Sequence, residues 1–428
     1  MIQFPEPQPA AAVLKHLTPG TSVIVPLSNG EPISVLDAME ASADQLSGVT
    51  VHQMHALVDR PYLHDARGRF KGHLDHVSYF LSHVTRPAFA AGTIDFVPCH
   101  FSEMPALLRR RPNPKLVVAA CSMPDRHGYV SLGTNADYVA AFIGRVPYFV
   151  EANKRMPRTF GRNQLHLSQL AGWTESDRPL IEVPPAQPDG VDCAIGAMVA
   201  DRIPDGATIQ TGIGAIPNAV LASLSNHRNL GIHTELLSDG AIDLVESGVV
   251  NGIHKVRRPG KVVATFCLGT QRLYDFINEN PVLELLPVDW VNDSRLIGSD
   301  PNFMSINATT EVDLLGQCAS ETIAGKYWSG SGGQADFARG AMYSEHGKGF
   351  IVLHSTASKG TISRIVSRLS PGSVVTTLKN TVDHVVTEHG VAELRDRSLA
   401  NRARALIEIA APQFRRQLEH DARDLGYL

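Results

Sequence analysis

The sequence predicts an α/β protein built from two domains, each an open and mostly parallel sheet with helices between its strands. Three observations carry this. Short apolar runs rich in Val and Ile recur along the chain, amphipathic helical stretches separate them, and a proline-rich break divides the chain into halves with the same alternation.

The runs are SVIVPL (22–27), TIDFVP (93–98), KLVVAAC (115–121), YFVEAN (148–153), ATIQT (207–211), GKVVATFCLG (260–269), GFIVLH (349–354) and VVTTL (374–378). Each is bounded by Gly, Pro or Asn, as expected of strands covered on both faces. Helical spacing appears in PNAVLASLSN (217–226) and in the C-terminal RARALIEIAAPQFRRQLEHDARDLG, where the opposite face is charged. Pro184, Pro185, Pro188 and Gly190 lie between a strand-like end and a new helix, which places the boundary near 188 and the domains at 1–187 and 188–428. A cleft between two α/β domains is the expected place for a ligand.

The chain has 428 residues with 39 Lys+Arg against 43 Asp+Glu, a net charge of −4. No basic field is available for a nucleic-acid backbone or an anionic membrane. Neither a leader pattern nor a run of about 18 apolar residues occurs, so a cytoplasmic location is expected. The five cysteines, Cys99, Cys121, Cys193, Cys267 and Cys318, form no CxxC pair and are expected to be reduced and buried.

Four motifs can carry chemistry. In GATIQTGIGAIPNAVLASL a buried strand runs into Gly212, Ile213, Gly214, Ala215 and Ile216, and a helix begins at or beside Pro217. Free N–H groups there can hold a carbonyl oxygen or a phosphate, or the segment is only a tight turn. Neither the GxGxxG fingerprint nor a GxxxxGK[ST] loop is present. In GIHTELLSDG, Glu235 follows a short apolar pair and precedes a turn, where a carboxylate can act as nucleophile toward an activated acyl group or lie in solvent.

In KYWSGSGGQADFARGA the small residues around Gly333 indicate a backbone passing close to a ligand or another chain segment, and no GxSxG elbow exists. In HSTASKGTISRIVSRL, Lys359 precedes an expected helix carrying Arg364 and Arg368, suited to a phosphate or to an ordinary cap. His73, Asp75 and His76 lie together in GHLDHVSYF, but without HExxH or a third ligand no metal site is expected.

Taken in order, GIGAIPNAVLASL, GIHTELLSDGAIDLVESGVV, LYDFINENPVLELLPVDWVND, SINATTEVDLLGQ, SGSGGQADFARGA, STASKGTISRIV and VVTEHGVAELR resemble the acetyl-CoA hydrolase/transferase family. DRHGYVSLG and MPRTFG resemble it more loosely. The likeness is strongest to its 4-hydroxybutyrate and butyryl-CoA:acetate CoA-transferase branch and covers nearly the whole chain.

The resemblance implies two domains of the CoA-transferase (NagB/RpiA-like) type with the active site between them. It implies a ping-pong CoA transfer to a small carboxylic acid (acetate, butyrate, 4-hydroxybutyrate, or a dicarboxylate such as succinate or itaconate) through a glutamyl-CoA thioester on Glu235. By motif position, Gly212, Ile213, Gly214, Ala215, Ile216, Gly333 and Lys359 contact CoA, which is a substrate, and no separate cofactor is implied. Acyl and acid specificity is expected from the first domain, with SNGEP (28–32), the His73/His76 segment and CHFSEMP (99–105) as candidates. A homodimer or higher homo-oligomer is expected. An acyl-CoA hydrolase on the same site and a non-catalytic CoA-ester sensor are the alternatives.

Overall fold

The computed structural model describes residues 5–65 and 68–428. The chain forms two compact units, one of residues up to Val183 with Val263–Trp290, the other of Pro184–Val262 with Val291–Leu428. The first crossing lies close to the expected break, but the division is not contiguous, because Val263–Trp290 returns to the first unit. That return is a backbone pairing: Ala136 N donates to Thr265 O (2.8 Å), Leu285 N to Phe160 O (2.8 Å) and Arg162 N to Leu285 O (2.9 Å). Gly161, at φ 131°, permits it, since a Cβ there would lie 2.1 Å from Leu285 O.

The first unit holds a seven-stranded sheet in the order Asp95–Phe96, Leu74–Ser78, Val49–Gln53, Ser22–Ile24, Lys115–Cys121, Tyr148–Asn153, Gly172–Ser176. Every neighbour pair is parallel. Val23 pairs with both Val51 and Leu116, and its side chain joins Val51, Val118 and Phe149 in a fully buried core. Chain order runs outward from Ser22–Ile24 in both directions, so the topological switch lies between that strand and Lys115–Cys121.

The second unit holds a six-stranded sheet in the order Gly231–Ile232, Thr208–Thr211, Phe303–Ala308, Lys348–Val352, His384–Thr387, Gly390–Glu393. It is parallel except for the final antiparallel pair. Its switch point lies between Thr208–Thr211 and Phe303–Ala308. The C-terminal amphipathic pattern forms two helices, Leu399–Glu408 and Pro412–Asp424, with Pro412 at the first helical turn. Ala403, Leu406, Leu418 and Ala422 bury its apolar stripe.

Two strand expectations are corrected. GKVVATFCLG contributes only the short strands Val262–Ala264 and Phe266–Cys267, outside both large sheets. VVTTL is no strand: Thr377 forms a single bridge to Cys318, and Val375 and Leu378 are exposed, so β-branched composition lacked the partner that a strand requires. Cys99, Cys121, Cys267 and Cys318 are buried, whereas Cys193 is exposed on the helix Gly190–Ala200. Among the described residues no helix is long and apolar enough to cross a membrane.

Candidate active site

The second unit gathers Glu235, Gly333 and a residue that sequence reasoning missed, Asn292. Glu235 follows Gly231–Ile232 by three residues and precedes Leu236–Leu237. The residue is partly exposed, but its carboxyl lies deep: Asn292 Nδ2 donates to Oε2 at 2.8 Å. Gly333 caps the N-terminus of the helix Gln334–Tyr343 against the same oxygen. A Cβ on Gly333 would lie 2.0 Å from Glu235 Oε2 and 2.3 Å from Asn292 Nδ2, so at this position the serine- and glycine-rich loop passes close to another chain segment.

Burial pushes the Glu235 carboxyl up to about 7, a rise that the Asn292 hydrogen bond opposes and the Asp336 charge assists. Asn292 is fully buried. A carboxyl with this value is divided between its ionised and neutral forms at neutral pH, and its ionised form is more basic than a solvated carboxylate.

The loop around Glu235 is braced on both sides. Thr234 Oγ1 donates to Thr211 O at 3.0 Å, tying it to the end of the strand Thr208–Thr211. His233 is fully buried and neutral, its pKa lowered to about 3 chiefly by desolvation. Its Nε2 donates to Val291 O at 2.7 Å, which fixes the position beside Asn292. The His233 ring packs edge-on against Phe303 and Phe337, which stack on each other at 6.2 Å. One aromatic cluster thus supports the Glu235 loop, the strand from Phe303 and the helix after Gly333.

Gly212, Ile213, Gly214, Ala215 and Ile216 lie at the carboxyl end of Thr208–Thr211, beside the switch point. The helix begins at Ala215, with Pro217 inside its first turn, and Gly214 caps it at φ 126°, a conformation that L side chains rarely adopt. A Cβ on Gly212 would meet no protein atom within 4 Å, and Ile213 is exposed.

The helix expected after Lys359 is absent, a correction. Ser358 (φ 50°) and Lys359 (φ 58°) form the tip of a hairpin between Thr356–Ala357 and Ile362–Ser363, closed by Gly360 N donating to Ala357 O at 3.1 Å. Successive positive φ values at Ser358 and Lys359 are those of a primed turn, here inside the four-residue loop 358–361, and exclude a helix start. The exposed Lys359 therefore sits on a different element from Glu235.

Asp75 and His76 are adjacent on the strand Leu74–Ser78 and so point to opposite faces, and His73 Nδ1 meets Leu46 O at 2.7 Å. Asp189, Asp192 and His354 bring metal-type donors together. They are used otherwise: Asp189 and Asp192 form a reciprocal helix cap, and His354 Nε2 meets Asp192 Oδ1 at 2.7 Å.

Proteins that share this fold and much of this sequence are named CoA-transferases. Residues 9–182 match the acetyl-CoA hydrolase/transferase N-terminal domain and residues 269–422 the C-terminal domain. The chain is 46% identical to succinyl-CoA:cyclohexane-1-carboxylate CoA transferase of Geobacter metallireducens, covering 98% of this chain and 95% of that protein. It is 44% identical to 4-hydroxybutyrate coenzyme A transferase of Clostridium kluyveri, covering 92% and 91%. The crystal structure of 4-hydroxybutyrate CoA-transferase from Porphyromonas gingivalis superposes with a TM-score of 0.83 at 37% identity, covering 98% of this chain and 97% of that one. The chain belongs to the acetyl-CoA hydrolase/transferase family.

Proposed function

We propose that the enzyme transfers CoA from an acyl-CoA to a small carboxylic acid by a ping-pong route, with Glu235 as the nucleophile. The observation that carries this reading is the Glu235 carboxyl itself, desolvated, held through Oε2 by Asn292 and seated where Gly333 leaves no room for a side chain. In the first stage the ionised carboxylate attacks the thioester carbonyl, giving a mixed anhydride and CoA thiolate. The thiolate then attacks the glutamyl carbonyl, forming the glutamyl-CoA thioester and releasing the first acid as its carboxylate. The second acid reverses these steps, so the thioester bond is exchanged and not hydrolysed.

Asn292 leaves Oε1 as the attacking oxygen and orients the carboxylate. The segment Gly212 to Ile216 is assigned to CoA, with backbone N–H groups facing the thioester oxygen as an oxyanion hole does. Gly333 and Lys359 are assigned to the same ligand on motif position. The two relatives named as succinyl-CoA:cyclohexane-1-carboxylate and 4-hydroxybutyrate transferases support a small organic acid as acceptor. We read the enzyme as a cytoplasmic homo-oligomer, for which light scattering is the check.

The deciding test is CoA exchange between two labelled acids by Glu235→Ala. The reading predicts loss of exchange; exchange at the parental rate would remove Glu235 as nucleophile.

A further inference from the structure

The loop that carries Gly333 is held by a second glutamate, Glu321. This residue follows the strand Cys318–Ala319, precedes Thr322–Ile323, and is 5% exposed. A carboxyl is rarely buried to this extent unless partners hold it. One partner is Ser331, whose Oγ–H donates to Glu321 Oε1 at 3.1 Å, two positions before Gly333. The Glu321 backbone holds the start of the same loop, since its carbonyl accepts from Trp328 N at 2.7 Å and from Ser329 N at 3.2 Å.

Glu321 is in turn anchored to the sheet. Thr309, the residue after the strand Phe303–Ala308, donates through Oγ1 to Ala319 O at 2.8 Å. On the other side Ser320 N donates to Thr376 Oγ1 at 3.0 Å and Cys318 N to Thr377 O at 3.1 Å. Thr377 Oγ1 also accepts from Gln334 Nε2 at 3.1 Å, at the first position of the helix after Gly333. The segment VVTTL, which forms no strand, thus straps both ends of the glycine loop. Between those ends the chain has little to fix it. Gly330, Gly332 and Gly333 carry no side chains, and glycine gives up the most conformational freedom on ordering. The Ser331 anchor, set among these glycines, therefore has leverage on Gly333, whose fit is exacting: a Cβ there would lie 2.0 Å from Glu235 Oε2.

We propose that Glu321 is a positioning residue for the transfer reaction: through Ser331 it fixes the glycine loop against the Glu235 carboxyl and keeps water from it, a role that rests on Glu235 being the nucleophile. Its effect on that carboxyl has the opposite sign to that of Asn292. Loosening the loop admits water and relieves the desolvation that raises Glu235, so the group then titrates lower. Loss of the Asn292 hydrogen bond makes it titrate higher.

The test compares the full-length protein with Glu321→Ala, Glu321→Gln and Ser331→Ala by two readouts. In hydrogen-exchange mass spectrometry without substrate, both alanine variants should show roughly tenfold faster amide exchange over residues 328–337. Glu321→Gln keeps an oxygen that accepts from Ser331 and should stay within about twofold of the parent. In the pH profile of kcat/KM for the acyl-CoA, the acidic limb of both alanine variants should move about one pH unit lower, and the plateau should fall roughly tenfold. Glu321→Gln should restore the parental profile, which a loss of overall stability would not predict. Ser331→Ala removes one oxygen from a half-buried loop residue, so the test stands even where Glu321→Ala does not fold. Unchanged loop exchange in Ser331→Ala, or faster loop exchange with an unmoved acidic limb, would overturn the proposal. The hydrogen-exchange readout involves no chemistry at Glu235, whose assignment is tested separately by CoA exchange in Glu235→Ala.

Discussion

Glu235→Gln should make the protein more stable while abolishing transfer, and the gain should depend on pH in a defined way. The carboxyl titrates at about 7 in the fold against an ordinary 4.5. The folded state thus holds its proton more tightly than the unfolded state. Stability from this group is fully present below 4.5, falls as pH rises, and is lost once pH passes about 7. At 1.36 kcal/mol per pH unit, that span amounts to roughly 3 kcal/mol, of which about 2 kcal/mol falls between pH 5.5 and 8. Glutamine is the neutral isostere, still accepts from Asn292, and has no such dependence. Urea unfolding of both proteins, followed by circular dichroism at pH 5.5, 6.5, 7.3 and 8, should show the variant's advantage widening by about 2 kcal/mol across the series. An advantage that stays constant with pH would refute the desolvated carboxyl and the nucleophile argued from it.

Three further outcomes follow from the same geometry. Only the ionised carboxylate attacks, so kcat/KM for the acyl-CoA should fall about tenfold per pH unit below roughly 7, and a profile flat to pH 5.5 would contradict this. Asn292→Ala removes the hydrogen bond that lowers the Glu235 pKa, so the acidic limb should move to higher pH and kcat/KM at pH 7 should drop ten- to a hundredfold; an unmoved limb would deny Asn292 its role. Gly333→Ala places a methyl 2.0 Å from Oε2, with an expected stability cost of about 1–3 kcal/mol and loss of transfer, checked by unfolding and initial-rate assays.

Much of the fold was legible because buried parallel strands announce themselves as unbroken apolar runs. KLVVAAC and YFVEAN are strands over the expected residues. Strands such as Val49–Gln53 and Leu74–Ser78 were not read, since His52, Gln53, Asp75 and His76 interrupt the apolar pattern with polar groups that only tertiary contacts accommodate. VVTTL failed in the opposite sense, with composition favouring a strand and only a single bridge, from Thr377 to Cys318, to pair it. The return of Val263–Trp290 to the first unit rests on pairing with residues more than a hundred positions away, which no local pattern encodes.

At the site, a glutamate before a turn and a glycine-dense loop were each visible, but nothing in their spacing said that they touch. Asn292 lies 57 residues from Glu235 and looks like any loop asparagine until the fold brings it to 2.8 Å. The hairpin at Lys359 was misread because Ser, Thr and Lys suit a helix cap as well as a turn, and the choice was made by two positive φ values.

The central claim is covalent, and intact-protein mass spectrometry tests it most directly. The enzyme is incubated with acetyl-CoA or succinyl-CoA, and any adduct is mapped by peptide analysis and trapped by borohydride reduction. The account predicts a mass increase corresponding to CoA less water, located on Glu235 and absent from Glu235→Gln. Transfer proceeding with no adduct, or an adduct on another residue that persists in the variant, would contradict it.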